Sequence, residues 1–169
     1  MTHHENHDVK EKLIQYVQDA VAMEQNVKQM LDSMINTTSD PEMAQRLQEH
    51  RDETQRHSAG LSRRLEALGG EATSKLKEAP AVVGALGKAV LDQARGDKPG
   101  RNARDGFMTE HLEIAAYELL ERVATRAGDA ATANVARENL ADERRMADFI
   151  AARWDKIVDL TLEEEGTRI

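Results

Sequence analysis

Cysteine is absent from the 169 residues, which removes disulfides, thiolate metal sites, iron–sulfur clusters and thiol nucleophiles. Aromatic residues make up 3% and prolines number 3. Strands favour aromatic and β-branched residues. Their scarcity, beside abundant Ala, Leu, Glu, Arg, Met and Gln, predicts an all-α protein. Basic residues are outnumbered and the net charge is −8. Nucleic-acid binding is therefore not expected, because that affinity rests on neutralising phosphates with Lys and Arg. No apolar run is long enough to span a membrane. The N-terminal MTHHENHDVKEK lacks the apolar stretch of a signal peptide, so a cytoplasmic protein is expected. No Gly-rich phosphate loop follows a strand, and no serine has nucleophile-elbow context.

What is present suits one globular domain over residues 1–169, with 40% hydrophobic and 32% charged residues. Residues 1–8 read as a disordered polar tail. A first helix is predicted from Val9 to Ile35, with Leu13, Val17, Val21, Val27, Leu31 and Met34 on one face. A polar turn follows, in which Asp40 caps a second helix and Pro41 takes its first position. That helix runs to Leu68 and stops at Gly69-Gly70. A third helix is predicted from Phe107 to Ala127, and a fourth from Ala130 to at least Trp154. The intervening residues 71–106 are too long for a hairpin. They carry a short helical pattern, Ala81–Ala94, then a basic loop, RGDKPGRNARDG, expected to be solvated. Such a crossover makes helix three parallel to helix two, an arrangement of four-helix bundles with one long connection.

Each long helix carries a glutamate where its apolar stripe calls for a core residue. In helix one it is Glu24. In helix two the row reads Met43, Leu47, His50, Glu53, His57, Leu61. Helix three places Glu110 and Glu113 before Tyr117 and Leu120, and helix four places Glu143 before Met146 and Ile150. One buried carboxylate costs several kcal/mol or stays protonated, and several would also repel one another. Two bound cations resolve both problems. A carboxylate-rich site with one or two imidazoles suits iron, with manganese as the alternative. Glu49, Glu66, Glu118, Glu121 and Glu138 fall off the stripes and read as solvated.

Histidine is the less determined ligand. His50 lies three residues before Glu53 and His57 four after it, so either can share its face. His57 is preferred, with His50 as the alternative imidazole. His111 is about 160° around the helix from Glu113 and is expected outside. His3, His4 and His7 belong to the tail.

The segments YVQDAVAMEQNV, HRDETQRH, TEHLEIAAYELL and NLADERRMADFI resemble the ferritin-like proteins of the YciE/YciF type, from about Val9 to Leu162. The stretch Glu110, His111, Glu113, Ile114, Ala115, Tyr117 is its most specific part. The resemblance implies a metal-binding helical dimer associated with bacterial stress responses. It maps the ferritin-like ligand glutamates onto Glu24, Glu53, the rubrerythrin-like pair Glu110 and Glu113, and Glu143. Two positions depart from the pattern. Arg56 and Met146 stand where histidines three residues after Glu53 and Glu143 are expected, so neither Glu-x-x-His is intact. The two halves also read as weak repeats, with Glu24 set against Glu113 and Asp52-Glu53 against Asp142-Glu143.

Three functions follow as expectations. One is a dimetal oxidoreductase, ferroxidase- or peroxidase/catalase-like, consuming O2 or H2O2, with Tyr117 as a redox neighbour. Another is an iron-handling protein with little turnover. The third is a metal-free helical dimer that acts in stress through its partners. The resemblance implies the dimer, and Met23, Met30 and Met34, partly off the core stripe, suggest a surface for it.

Overall fold

The computed structural model describes residues 3–71 and 98–166, with residues 3–7 as backbone only. Five helices account for almost all of them: α1 (His3–Thr37), α2 (Pro41–Ala67), α3 (Lys98–Arg126), α4 (Ala130–Ala151) and α5 (Trp154–Glu164). No strand occurs among the described residues. No helix there is long and apolar enough to cross a membrane.

α1 and α2 form one hairpin and α3 and α4 another, and the two hairpins pack through α1 on α3 and α2 on α4. Cross-helix partners fix the directions. Asn102 donates to Thr37 and Thr109 reaches Met30, so α1 and α3 are antiparallel. Arg64 pairs with Asp129 and Arg153 with Glu42, so α2 and α4 are antiparallel as well. Helices α2 and α3 therefore run parallel, as the long connection requires. The all-α ferritin-like bundle is the observed fold. The helical pattern at 81–94 lies outside the described residues.

The turn chemistry is local. Asp40 accepts the Met43 N–H at 2.9 Å, and Pro41 begins α2, where its missing N–H has no helical partner to lose. At the far end Gly69, with φ 79°, lets the Gly69 and Gly70 N–H groups close back onto Glu66 and Leu65. Asp129 caps α4 through the Thr132 N–H at 3.0 Å and also binds Arg64, which ties the cap to α2.

Three boundaries differ from the sequence expectation. Helix α1 starts at His3 instead of Val9, because polar residues extend a nucleated helix without needing an apolar face. Helix α3 starts at Lys98, so most of the expected basic loop is helical. Pro99 is tolerated in a first turn, and the Glu164 carboxylate accepts the Lys98 N–H at 3.0 Å. The fourth helix breaks at Ala152–Arg153, and α5 then folds back onto α3, burying Ile157. Gly100 permits this approach, since a Cβ there would lie 3.1 Å from Thr161 Oγ1.

The apolar stripe of α1 is buried as read, from Leu13 through Met34. Met23 and Met30 are buried too. The methionine stretch thus belongs to the core of a single chain and is not an open surface for association.

Candidate metal centre

Four helices deliver six ionisable side chains to the middle of this core. Glu24 comes from α1, His50 and His57 from α2, Glu110 and Glu113 from α3, and Glu143 from α4. All are at most 3% exposed. They sort into two groups that share one residue. His50, Glu110, Glu113 and Glu143 each offer a ligand atom within 4.8 Å of the others, as do Glu24, His57 and Glu143. His50 Nε2 lies 3.2 Å from Glu110 Oε1 and 3.4 Å from Glu143 Oε2. His57 Nδ1 lies 3.0 Å from Glu143 Oε1 and 3.4 Å from Glu24 Oε1. Glu143 therefore faces both imidazoles, one with each oxygen.

Both helix-two histidines take part, because seven residues make nearly two turns and bring them to one face. Glu53 is not brought into either group. Its carboxylate turns outward to Arg46 at 3.1 Å and accepts from His50 Nδ1 at 3.0 Å. Asp142 does the same for the other ring, 3.0 Å from His57 Nε2, and pairs with Arg145. Each imidazole is thus held by a carboxylate on one nitrogen and points the other into the core.

The repeat explains why Glu53 is displaced. The offset that sets Glu24 against Glu113 sets His50 against Asn139, Thr54 against Glu143 and His57 against Met146, and all six are buried. It also sets Glu53 against Asp142. Matching the Asp-Glu pairs by identity slips α2 by one residue, and a slip of about 100° moves a side chain off the inner face. Thr54, Asn139 and Asp142 were not legible as site neighbours for that reason.

Tyr117 is fully buried beside the group. Its hydroxyl donates to Glu24 Oε1 and accepts from Asn139 Nδ2 at 3.0 Å, and its ring meets His57 edge-on. His111 is exposed, as expected, with Nδ1 2.9 Å from the Phe107 carbonyl.

The electrostatics are those of a crowded core. Burial pushes Glu113 well above the usual carboxylate range, and Glu143, Glu24 and Glu110 push it further. Burial likewise raises Glu24, and raises Glu110 to about 7 against the pull of His50. Burial disfavours charge on His50, yet Glu110, Glu53 and Glu143 outweigh it and hold the ring at about 10. His57 reaches about 10 in the same way, through Glu143 and Glu24. Burial opposes charge on Glu53 as well, but His50 and Arg46 bring it down to about 2.

The donor set fits a pair of divalent ions. Both oxygens of Glu110, Glu113 and Glu143, with His50 Nε2 and His57 Nδ1, are buried and make no well-aligned hydrogen bond, only the close imidazole–carboxylate contacts above. Such atoms are costly unless something satisfies them. Four inward carboxylates balance two divalent charges. A ligating histidine typically donates its other N–H to a carboxylate, which is what Glu53 and Asp142 accept.

Solved structures share this fold over nearly the whole chain. A crystal structure of a protein from Xanthomonas campestris pv. campestris matches with a TM-score of 0.78 and 30% identity, covering 94% of this chain and 99% of that one. The Escherichia coli stress protein YciF matches with a TM-score of 0.70 and 17% identity, over 95% and 98%. YcfI of Rhodopseudomonas palustris matches with a TM-score of 0.69 and 21% identity, over 85% and 92%. The YciE/YciF-type resemblance thus holds at the level of the family. The model of the family described as "Domain of unknown function (DUF892)" matches residues 8–163, and the chain belongs to that family.

Proposed function

We propose that this chain is a ferritin-like protein that holds two iron ions (manganese being the alternative) in its core and handles iron or O2/peroxide in a bacterial stress response. The observation that carries the reading is the set of buried carboxylate and imidazole atoms that lack a well-aligned hydrogen bond and converge from four helices. Glu143, Glu110, Glu113 and His50 would hold one ion, and Glu143, Glu24 and His57 the other. The stress assignment leans on the description of E. coli YciF as a stress protein and on the cytoplasmic character expected from the sequence.

Bound iron would supply a one-electron redox couple and open coordination positions. The protein's own residues do the rest. Glu53 and Asp142 fix each ring's orientation and keep its inward nitrogen free of a proton when metal is bound. The apolar rows above and below exclude water. The Tyr117 hydroxyl donates its hydrogen bond to Glu24 Oε1, beside the centre, where a side chain able to lose an electron and a proton would be useful.

The test is elemental analysis of protein purified without a His-tag or metal-affinity column, before and after anaerobic loading with Fe(II) or Mn(II). About two ions per chain after loading is the expected result. A protein that takes up neither metal would leave the second reading, a metal-free helical dimer acting on partners. The exposed apolar side chains Met108 and Leu119, on one face of α3, favour that alternative.

A further inference from the structure

Thr54 is 1% exposed, and its hydroxyl oxygen makes no hydrogen bond among the described residues. A threonine inside a helix ordinarily turns its hydroxyl back onto the carbonyl of the preceding turn. Thr109, Thr125 and Thr161 do so, each at 2.8 Å from the carbonyl oxygen four residues earlier. The Thr54 hydroxyl does not close onto the His50 carbonyl in this way. A buried hydroxyl left without a partner is costly.

Its place in α2 shows what such a partner would be. Thr54 stands one turn after His50 and one turn before His57, and both rings reach the inward carboxylates. The internal repeat sets Thr54 against Glu143, the carboxylate that faces both imidazoles. A glutamate at this position would be a second Glu143. The threonine oxygen stops well short of where a glutamate's would lie, and it brings no charge. Four inward carboxylates already balance two divalent ions, so neutrality does not require another.

We propose that Thr54 marks an exchangeable ligand site of the metal centre, its hydroxyl hydrogen-bonding a water molecule that a small anion can replace. The proposal deepens the dinuclear reading above and rests on it. A hydroxyl both donates and accepts, so it serves water and an anion alike. Donation to an anion is charge-assisted and correspondingly strong. The β-branched side chain is stiff, which presents the hydroxyl at little cost in entropy.

The experiment compares Thr54→Val, which keeps the shape and removes the hydroxyl, with Thr54→Ser, which keeps the hydroxyl, and Thr54→Glu, which restores the carboxylate. Each protein is loaded with Fe(II), oxidised in air, assayed for iron, and titrated with sodium azide through the azide-to-iron charge-transfer absorption. Iron content should stay at about two per chain in the Val and Ser variants, because the hydroxyl is not a metal ligand. Thr54→Val should weaken azide binding by about 10-fold or more, the worth of a hydrogen bond to a charged group. Thr54→Ser should stay within about threefold of wild type. Thr54→Glu should keep its iron and lose azide binding. Equal azide affinity in wild type and Thr54→Val, both with iron bound, would overturn the site, as would iron-loaded wild type that binds no azide. Wild type that takes up no iron would overturn the dinuclear reading and this proposal with it, and the iron assay tells the two failures apart. Melting of the metal-free proteins is an independent readout. Thr54→Val should melt a few degrees above wild type, since an unpartnered buried hydroxyl is removed. A lower melting temperature for Thr54→Val, with Thr54→Ser unchanged, would mean that the hydroxyl is bonded within the fold and is not held for a ligand.

Discussion

At the scale of residues, the two carboxylates of the tandem pairs have different tasks. Glu143 faces both imidazoles, whereas Glu53 touches only the far nitrogen of His50. Glu143→Gln should therefore abolish loading of both ions. Glu53→Gln should keep both while weakening the His50 side by about 10- to 100-fold. Metal titration followed by elemental analysis separates these outcomes, and equal losses would return Glu53 to the inner set. Glu113 gives an independent check through stability. Its complete burial, and then the three carboxylates around it, hold it well above its ordinary pKa. Glu113→Gln should raise the melting temperature of metal-free protein by a few degrees, since repulsion and desolvation fall. The same change should erase the stabilisation by added Fe(II) or Mn(II), which arises because the ion binds only the folded chain.

At the scale of elements, the helix ends carry their own test. Burial opposes charge on Asp129, but the Thr132 N–H and Arg64 outweigh it and hold its carboxyl below the usual 3.8. A depressed carboxylate stabilises the fold fully above its unfolded pKa and loses that contribution as pH falls through the folded value. Asp129→Ala should accordingly cost about 1–2 kcal/mol in urea unfolding at pH 7. The gap between variant and wild type should narrow as pH falls below the usual 3.8. A gap of constant size as the carboxyl is protonated would mean that the cap acts through packing alone. Element boundaries were less legible than caps. The basic stretch after Lys98 reads as loop because Pro99, Gly100 and Gly106 are turn residues locally, but Pro99 falls in the first turn, Gly100 faces Thr161 of α5 and Gly106 faces Ile150 of α4.

At the scale of the whole molecule, association is the open dimension of the family resemblance. With Met23 and Met30 inside the chain, the apolar side chains left on α3 are Met108 and Leu119, 54% and 52% exposed. If the chain dimerises, this face is one place where apolar area remains to be covered, Trp154 and Val158 of α5 being the other among the described residues. Light scattering at micromolar concentration should give twice 18.8 kDa, and Leu119→Lys should shift the population toward monomer. A wild-type monomer at that concentration would rule the dimer out.

Composition and periodicity determined the fold class, the antiparallel hairpins and the crossover, because sparse aromatics, capping residues and a 3.6-residue stripe are properties of local sequence. They also marked Glu24, Glu110, Glu113 and Glu143, since a glutamate on an apolar face is visible without neighbours. Tertiary structure alone decided the register of α2. His50 and His57 face inward together, and Thr54 takes the place that identity with Asp142-Glu143 had given to Glu53. Two adjacent residues differ by about 100° around a helix. A stripe roughly that wide does not say which of them lies inside, and only packing against α3 and α4 does.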